Sequence, residues 1–132
     1  MALIITLPAS FTASAYSSEE HKEEEPSSSE SYIQVPTFTV TMYHRGRPKG
    51  TMTITMLVKV TDSEQQATAR KYLPRLNSAY VIEASRLSHD YFDVEQPVNI
   101  AMIGDAFQLA TNRVLGHHDA HVLISDVIVN NK

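Results

Sequence analysis

His117-His118-Asp119-Ala120-His121 places three imidazoles and a carboxylate within five residues, the densest group of metal-ligating side chains in the chain. Histidine tracts can hold a metal through their neutral ring nitrogens. The spacing matches neither HExxH nor a comparable ligand motif, and the tract follows Gly116, where a helix is expected to end. A solvated turn with histidines at a helix C-terminus accounts for the same residues. His117, His118 and His121 are thus the metal candidates, set against a plain helix-end turn. Asp90, Asp93 and Glu95 form a second group, since paired carboxylates can do general acid-base work. No nucleophile, Gly-rich phosphate loop or oxyanion motif accompanies them, and the chain lacks GxSxG, GxGxxG and P-loop sequences. The residues therefore predict no catalytic site and no cofactor. A third group, Arg45, Arg47 and Lys49, recurs at every second position beside Gly46, Pro48 and Gly50. It offers a cationic tip to an acidic partner or acidic lipid headgroups, or serves as solvated decoration of a turn.

The elements that must position these groups are organised around Thr51 to Val60. Met52, Ile54, Met56, Val58 and Val60 alternate with Thr51, Thr53, Thr55 and Lys59, the period of a strand with one buried face. The run is expected to be the central strand. Before it, Phe38, Val40 and Met42 alternate with threonines, and Pro36 confines the start of that strand to an edge or a pre-strand extension. Residues Tyr43 to Gly50 are expected to be the loop joining the two.

A helix is expected from the capping-box pair Ser63 and Gln66 to Ser88, with Ala69, Leu73, Leu76 and Tyr80 on one stripe. Pro74 should kink it or split it near Leu73. After a loop over His89 to Pro97, a second helix is expected from about Val98 to Leu115. Its stripe is Ile100, Ile103, Phe107, Ala110 and Val114, and Gly116 is its cap. Val122 to Val129 reads as a final strand with a bulge near Ser125-Asp126. The fold class is thus α+β in ββααβ order, a small antiparallel sheet covered on one face by two helices.

At 132 residues the chain is long enough for a single unstapled core, and with no cysteine it has no disulfides, thiolate metal sites or Cys nucleophile. The net charge of −4 is concentrated in residues 16–31, which hold six Glu against one Lys, whereas residues 32–132 hold ten Lys/Arg against nine Asp/Glu. That balance gives the globular part no basic face of the kind nucleic acid requires. Residues 16–31 are Ser/Glu-rich and read as a disordered acidic tether. Residues 1–15 carry no charge and end in Ala13-Ser14-Ala15, a signal-peptidase-like site after a short apolar run. They are expected to be a signal peptide or a truncated membrane anchor, with export as the consequence.

Residues 32–132 resemble the flagellar basal-body-associated FliL family. The resemblance rests on Tyr32-x-x-Val35-Pro36-x-Phe38-Thr39-Val40, on Leu73-Pro74-Arg75-Leu76, on Asn112-Arg113-Val114-Leu115-Gly116 and on Val122-Leu123-Ile124-Ser125-Asp126-Val127-Ile128-Val129-Asn130. It implies a stomatin-like periplasmic domain without enzymatic activity. The implied partners are flagellar stator and basal-body proteins and further copies of the chain, at the periplasmic side of the bacterial inner membrane. Members of that family usually carry an N-terminal transmembrane helix, and the second helix here begins Val98-Asn99-Ile100-Ala101 in place of the usual charged start. An exported module that binds a small ligand or a metal is the alternative.

Overall fold

The computed structural model describes residues 31–132. The signal-peptide-like segment 1–15 and the acidic tether, apart from Ser31, lie outside the described residues. Strands β1 (Tyr32–His44) and β2 (Arg47–Lys59) are followed by helices α1 (Ser63–Lys71), α2 (Leu73–Asp90) and α3 (Ile100–Leu115) and by strand β3 (His121–Asn131). The sheet is antiparallel in the order β1-β2-β3, so β2 is central as its alternation predicts.

Met52, Ile54, Met56, Val58 and Val60 are all fully buried beneath the helices. Both neighbouring strands match this face only by carrying an extra residue. In β1 the register slips between Val35 and Phe38, where Pro36 supplies no ladder donor. In β3 it slips at Ser125, because Thr55 faces Asp126 while Met56 faces Ile124. Without these bulges the inward sets Ile33, Val35, Val40, Met42 and Val122, Ile124, Val127, Val129 would change face halfway along each strand. The opposite sheet face carries the threonines, whose hydroxyls pair across the strands at 3.3 Å for Thr37 and Thr55 and at 2.9 Å for Thr39 and Thr53.

Two expected boundaries are corrected. The β1–β2 connection is a two-residue turn of Arg45 and Gly46, not a loop from Tyr43 to Gly50. Both residues take positive φ, 54° and 79°, which matches the strand twist in a tight hairpin. Pro48 is tolerated inside β2 because β3 pairs with that strand only from Gly50 onward, so no ladder donor is missed on that side. The first helix is capped by Asp62 rather than Ser63. The Asp62 carboxylate accepts the Gln65 amide at 2.9 Å, and the Gln66 side chain donates to the Val60 carbonyl instead of closing a capping box.

Pro74 divides the helical stretch as expected. Tyr72 separates α1 from α2, and Pro74 sits in the first turn of α2, where its missing donor costs nothing. Lys71 and Arg75 bracket the Tyr72 ring at 5.7 and 5.4 Å from its centroid. Helix α3 starts at Ile100 after the Asn99 cap, whose side chain accepts the Met102 amide at 3.1 Å. It ends at Gly116 in the left-handed conformation. Ile103, Phe107 and Ala110 of its predicted stripe are buried, whereas Ile100, at the first turn, remains exposed.

The α2–α3 contact contains a polar pair within apolar packing. Tyr80 is fully buried, its ring centroid 5.0 Å from that of Phe107, and its hydroxyl lies 2.6 Å from Thr111 Oγ1. Thr111 spends its own proton on the Phe107 carbonyl at 2.7 Å, so Tyr80 donates to Thr111. Burial pushes the Tyr80 pKa up to about 12 against the smaller lowering effect of Thr111. The neutral phenol is the form that the core accepts, so its contribution to stability is complete below pH 10 and is lost as the pH rises toward 12. Thr111→Val strands the buried Tyr80 hydroxyl and should cost about 1–3 kcal/mol, whereas Tyr80→Phe removes the orphan with its partner and should cost nearer 0.5–1.5 kcal/mol. Urea denaturation of the two variants measures the difference.

Candidate functional site

Of the three groups singled out by sequence, the histidine tract lies apart, while the carboxylate and basic groups meet at the hairpin end through Asp93. His117 Nδ1 accepts the Asp119 amide at 3.0 Å, which fixes the proton on Nε2, and that atom is buried without a partner among the described residues. His118 is exposed beside Leu109, Asn112 and Arg113. His121 opens β3, opposite Lys59, in a depression with Asp62, Gln65 and Asp119. Gln65 Nε2 donates to Asp119 there at 3.1 Å. The three rings therefore do not converge, and among the described residues no three His, Asp or Glu side chains are placed to hold a metal ion. Closeness in sequence is undone because the turn after Gly116 and the start of a strand point successive side chains in different directions.

The carboxylate group is also dispersed, but one member has a defined role. Asp93 accepts from the Glu95 amide at 2.8 Å and meets His44 Nδ1 at 2.9 Å through both oxygens. Asp90 instead meets His89 at 2.9 Å, and the His89 ring stands edge-on to Tyr43 with centroids 5.1 Å apart. The backbone completes the link, since the Val94 amide donates to the Tyr43 carbonyl at 2.9 Å. These bonds fasten the segment between α2 and α3 to the end of the hairpin. The Glu95 amide first, and His44 and Arg45 after it, hold the Asp93 carboxyl below its ordinary pKa.

Arg45, Arg47 and Lys49 stay together at the hairpin end, all exposed. Arg45 forms the turn, Arg47 pairs with His44, and Lys49 is the extra residue where the register slips between Met42 and Tyr43. The tip is less cationic than its sequence indicates, because Asp93 lies within electrostatic reach of both His44 and Arg45.

Sequence periodicity did not reveal a groove of about 360 Å³ between α2 and α3 on the outer side of the helix layer. Ala79, Ala110 and Val114 line it with Ile82, and Arg75, Arg113 and Glu83 rim it. Glu83 is already paired with Arg86 at 2.8 Å. Ile82 and nearby Leu109 are 64% and 62% exposed, so this face combines apolar surface with guanidinium groups. The usable signal in the sequence was an isoleucine and a leucine lying off the buried stripes. Such a face can hold an apolar segment flanked by acidic groups; it contains no arrangement for bond-making chemistry.

Because the Asp93 pKa is lowered in the folded state, its contribution is present above the ordinary carboxylate value of 3.8 and is lost as the pH falls through the folded value. Asp93→Asn should therefore lower the melting temperature at neutral pH and flatten the fall in stability below about pH 4, read from melting curves across pH. No protein-family model matches the chain, and no curated protein is significantly similar to it.

Proposed function

We propose that residues 32–132 are a non-catalytic assembly domain, an accessory of the bacterial flagellar basal body that associates with stator units and with further copies of itself to support rotation. The observation that carries the assembly reading is the surface left outside the core. Ile82 and Leu109 on the helix layer, and Leu123 and Ile128 on the sheet, are large apolar side chains exposed on rigid elements. Clustered apolar residues on a rigid surface mark contact sites more often than chemistry. Of the side chains that could do chemistry, His44 and Asp93 are engaged in fastening the hairpin to the link between α2 and α3.

The motor assignment rests on the resemblance in sequence, some of whose residues also shape the fold. Pro36 sits at the β1 bulge, Pro74 opens α2, and Gly116 caps α3. The domain then acts on the periplasmic side of the inner membrane, exported by the segment that precedes it. No helix among the described residues is long and apolar enough to cross a membrane. The groove beside Arg75 and Arg113 favours a second reading, an exported module that binds a small ligand.

Deletion of the gene in the source bacterium separates the two. The motor reading expects impaired swimming and swarming, more so in viscous medium, with filaments still assembled and a tagged copy forming foci at flagellar bases. Normal motility under load, with no such foci, would overturn it and leave the ligand-binding reading in its place.

A further inference from the structure

We infer that two copies of the chain join through their β3 edges, in an antiparallel pairing about a two-fold axis between Ser125 and Asp126, to make one continuous six-stranded sheet. The inference deepens the assembly reading by naming the surface. It stands apart from the motor assignment, which the motility assay tests alone.

The sheet has two edges of unlike character. Both edges carry a bulge, but the β1 edge adds Pro36, which has no amide to donate and blunts that edge against pairing. The β3 edge, His121 to Asn131, contains no Pro, Gly, Lys or Arg and a single carboxylate, Asp126. Hydrogen bonding shows which backbone groups face outward. The Val122 amide donates to Gln108 Oε1 at 3.0 Å, and the Ala120 carbonyl accepts from Gln108 Nε2 at 2.7 Å, so both point away from β2. Strand alternation then turns Leu123 toward β2 and Ile124 outward. At the other end the Lys132 amide donates to Lys49 on the β2 side, which turns Asn130 and Ile128 inward and leaves Val129 and Val127 outward. Gln108 occupies only the first turnings of this edge, and Ile124, Val127 and Val129 direct their backbone groups past it.

The occupant is a second copy because the strand complements its own reverse. About an axis between Ser125 and Asp126, Ile124 lies opposite Val127 of the partner subunit and Val122 opposite Val129 of the partner subunit. Both pairs place apolar side chains on the helix-covered face, and the backbone bonds run between Ile124 and Val127, since the Val122 amide stays with Gln108. Leu123 then lies opposite Ile128 of the partner subunit, on the uncovered face, as a closely spaced pair without backbone bonds. These two are the exposed large apolar residues of the strand, at 41% and 49%. They share a face only because Ser125 is a bulge; an unbroken strand would put residues 123 and 128 on opposite faces. At the axis Ser125 meets Asp126 of the partner subunit, so a hydroxyl faces each carboxylate and no like charges are directly opposed. One pair of edge strands covers less than the roughly 1,600 Å² of a standard interface, so the association is weak and depends on concentration.

The absence of cysteine allows an uncluttered test on the full-length chain. Leu123→Cys and Ile128→Cys chains are oxidised separately, mixed, and mixed with Leu109→Cys as a control on the helix layer. The pairing expects a covalent dimer from the Leu123→Cys and Ile128→Cys mixture in clear excess over either alone and over any mixture with the control. Sedimentation of the unmodified chain expects a monomer-dimer equilibrium, displaced to monomer by Leu123→Lys with Ile128→Lys, charges of the kind that protect natural edges. A chain that stays monomeric at all attainable concentrations overturns the inference and leaves the edge to a strand from another protein. Cross-linking no greater than that of the control overturns it as well. The cross-linking result stands by itself if the lysine variant fails to fold.

Discussion

The fold depends on the inward face of β2. Its four buried side chains, with Val60 just beyond, are the floor on which the helices rest, and both other strands take their register from it. Since side chains alternate along a strand, a slip of one residue would turn Met52, Ile54, Met56, Val58 and Val60 to solvent. At about 1.5–3 kcal/mol for each large apolar side chain, such a slip costs as much as the whole stability of a typical domain. The bulges in β1 and β3 flank the same level of β2, beside Thr55 and Met56. Two insertions meeting one regular strand at the same level pin the register from both sides and concentrate the twist there.

Gly50 shows how closely the layers approach at the far end of this strand. A side chain there would reach to 2.9 Å from Val94 Cγ2 and run into the Asn130 backbone. Three segments converge on this point: β2, the terminal strand, and the connection that His44 and Asp93 fasten to the hairpin. The link between α2 and α3 is thus anchored at Asp93 and at the buried Val94 next to it. On the helix side, Tyr80 and Thr111 perform the matching task, since a buried donor and acceptor restrict how α2 and α3 can slide past one another.

Much of this architecture was legible because it rests on local rules. Alternation around Thr51 to Val60 identified the central strand, Pro74 marked the helix break, Gly116 marked the helix end, and a polar Ser-Asp pair within an apolar run marked the β3 bulge. What was misread had a tertiary cause. Pro48 and Gly50 look like turn residues, yet the first sits where β2 lacks a second neighbour and the second answers a close contact with Asn130 and Val94. The histidine tract, whose spacing already spoke against a metal site, shows that sequence gives nearness without direction. The interhelical groove and the outward β3 groups were invisible for a related reason: each is composed of residues far apart in the chain, and only packing shows which of them share a surface.

A two-layer domain has one core and two outer sides, and here the sides differ chemically. The uncovered sheet face is threonine-rich, with hydroxyls already paired across strands, so its polar groups have little unmet demand for a partner. Its exposed large apolar residues, Leu123 and Ile128, lie at one edge, beside the half-buried Leu57 of β2. On the helix side the apolar residues Ile82 and Leu109 lie close to Arg75 and Arg113, which adds a requirement for negative charge. A contact made through the β3 edge leaves the interhelical groove open, because the two belong to different layers. The proposed pairing along the sheet thus leaves the guanidinium-rimmed apolar surface of the helix layer accessible.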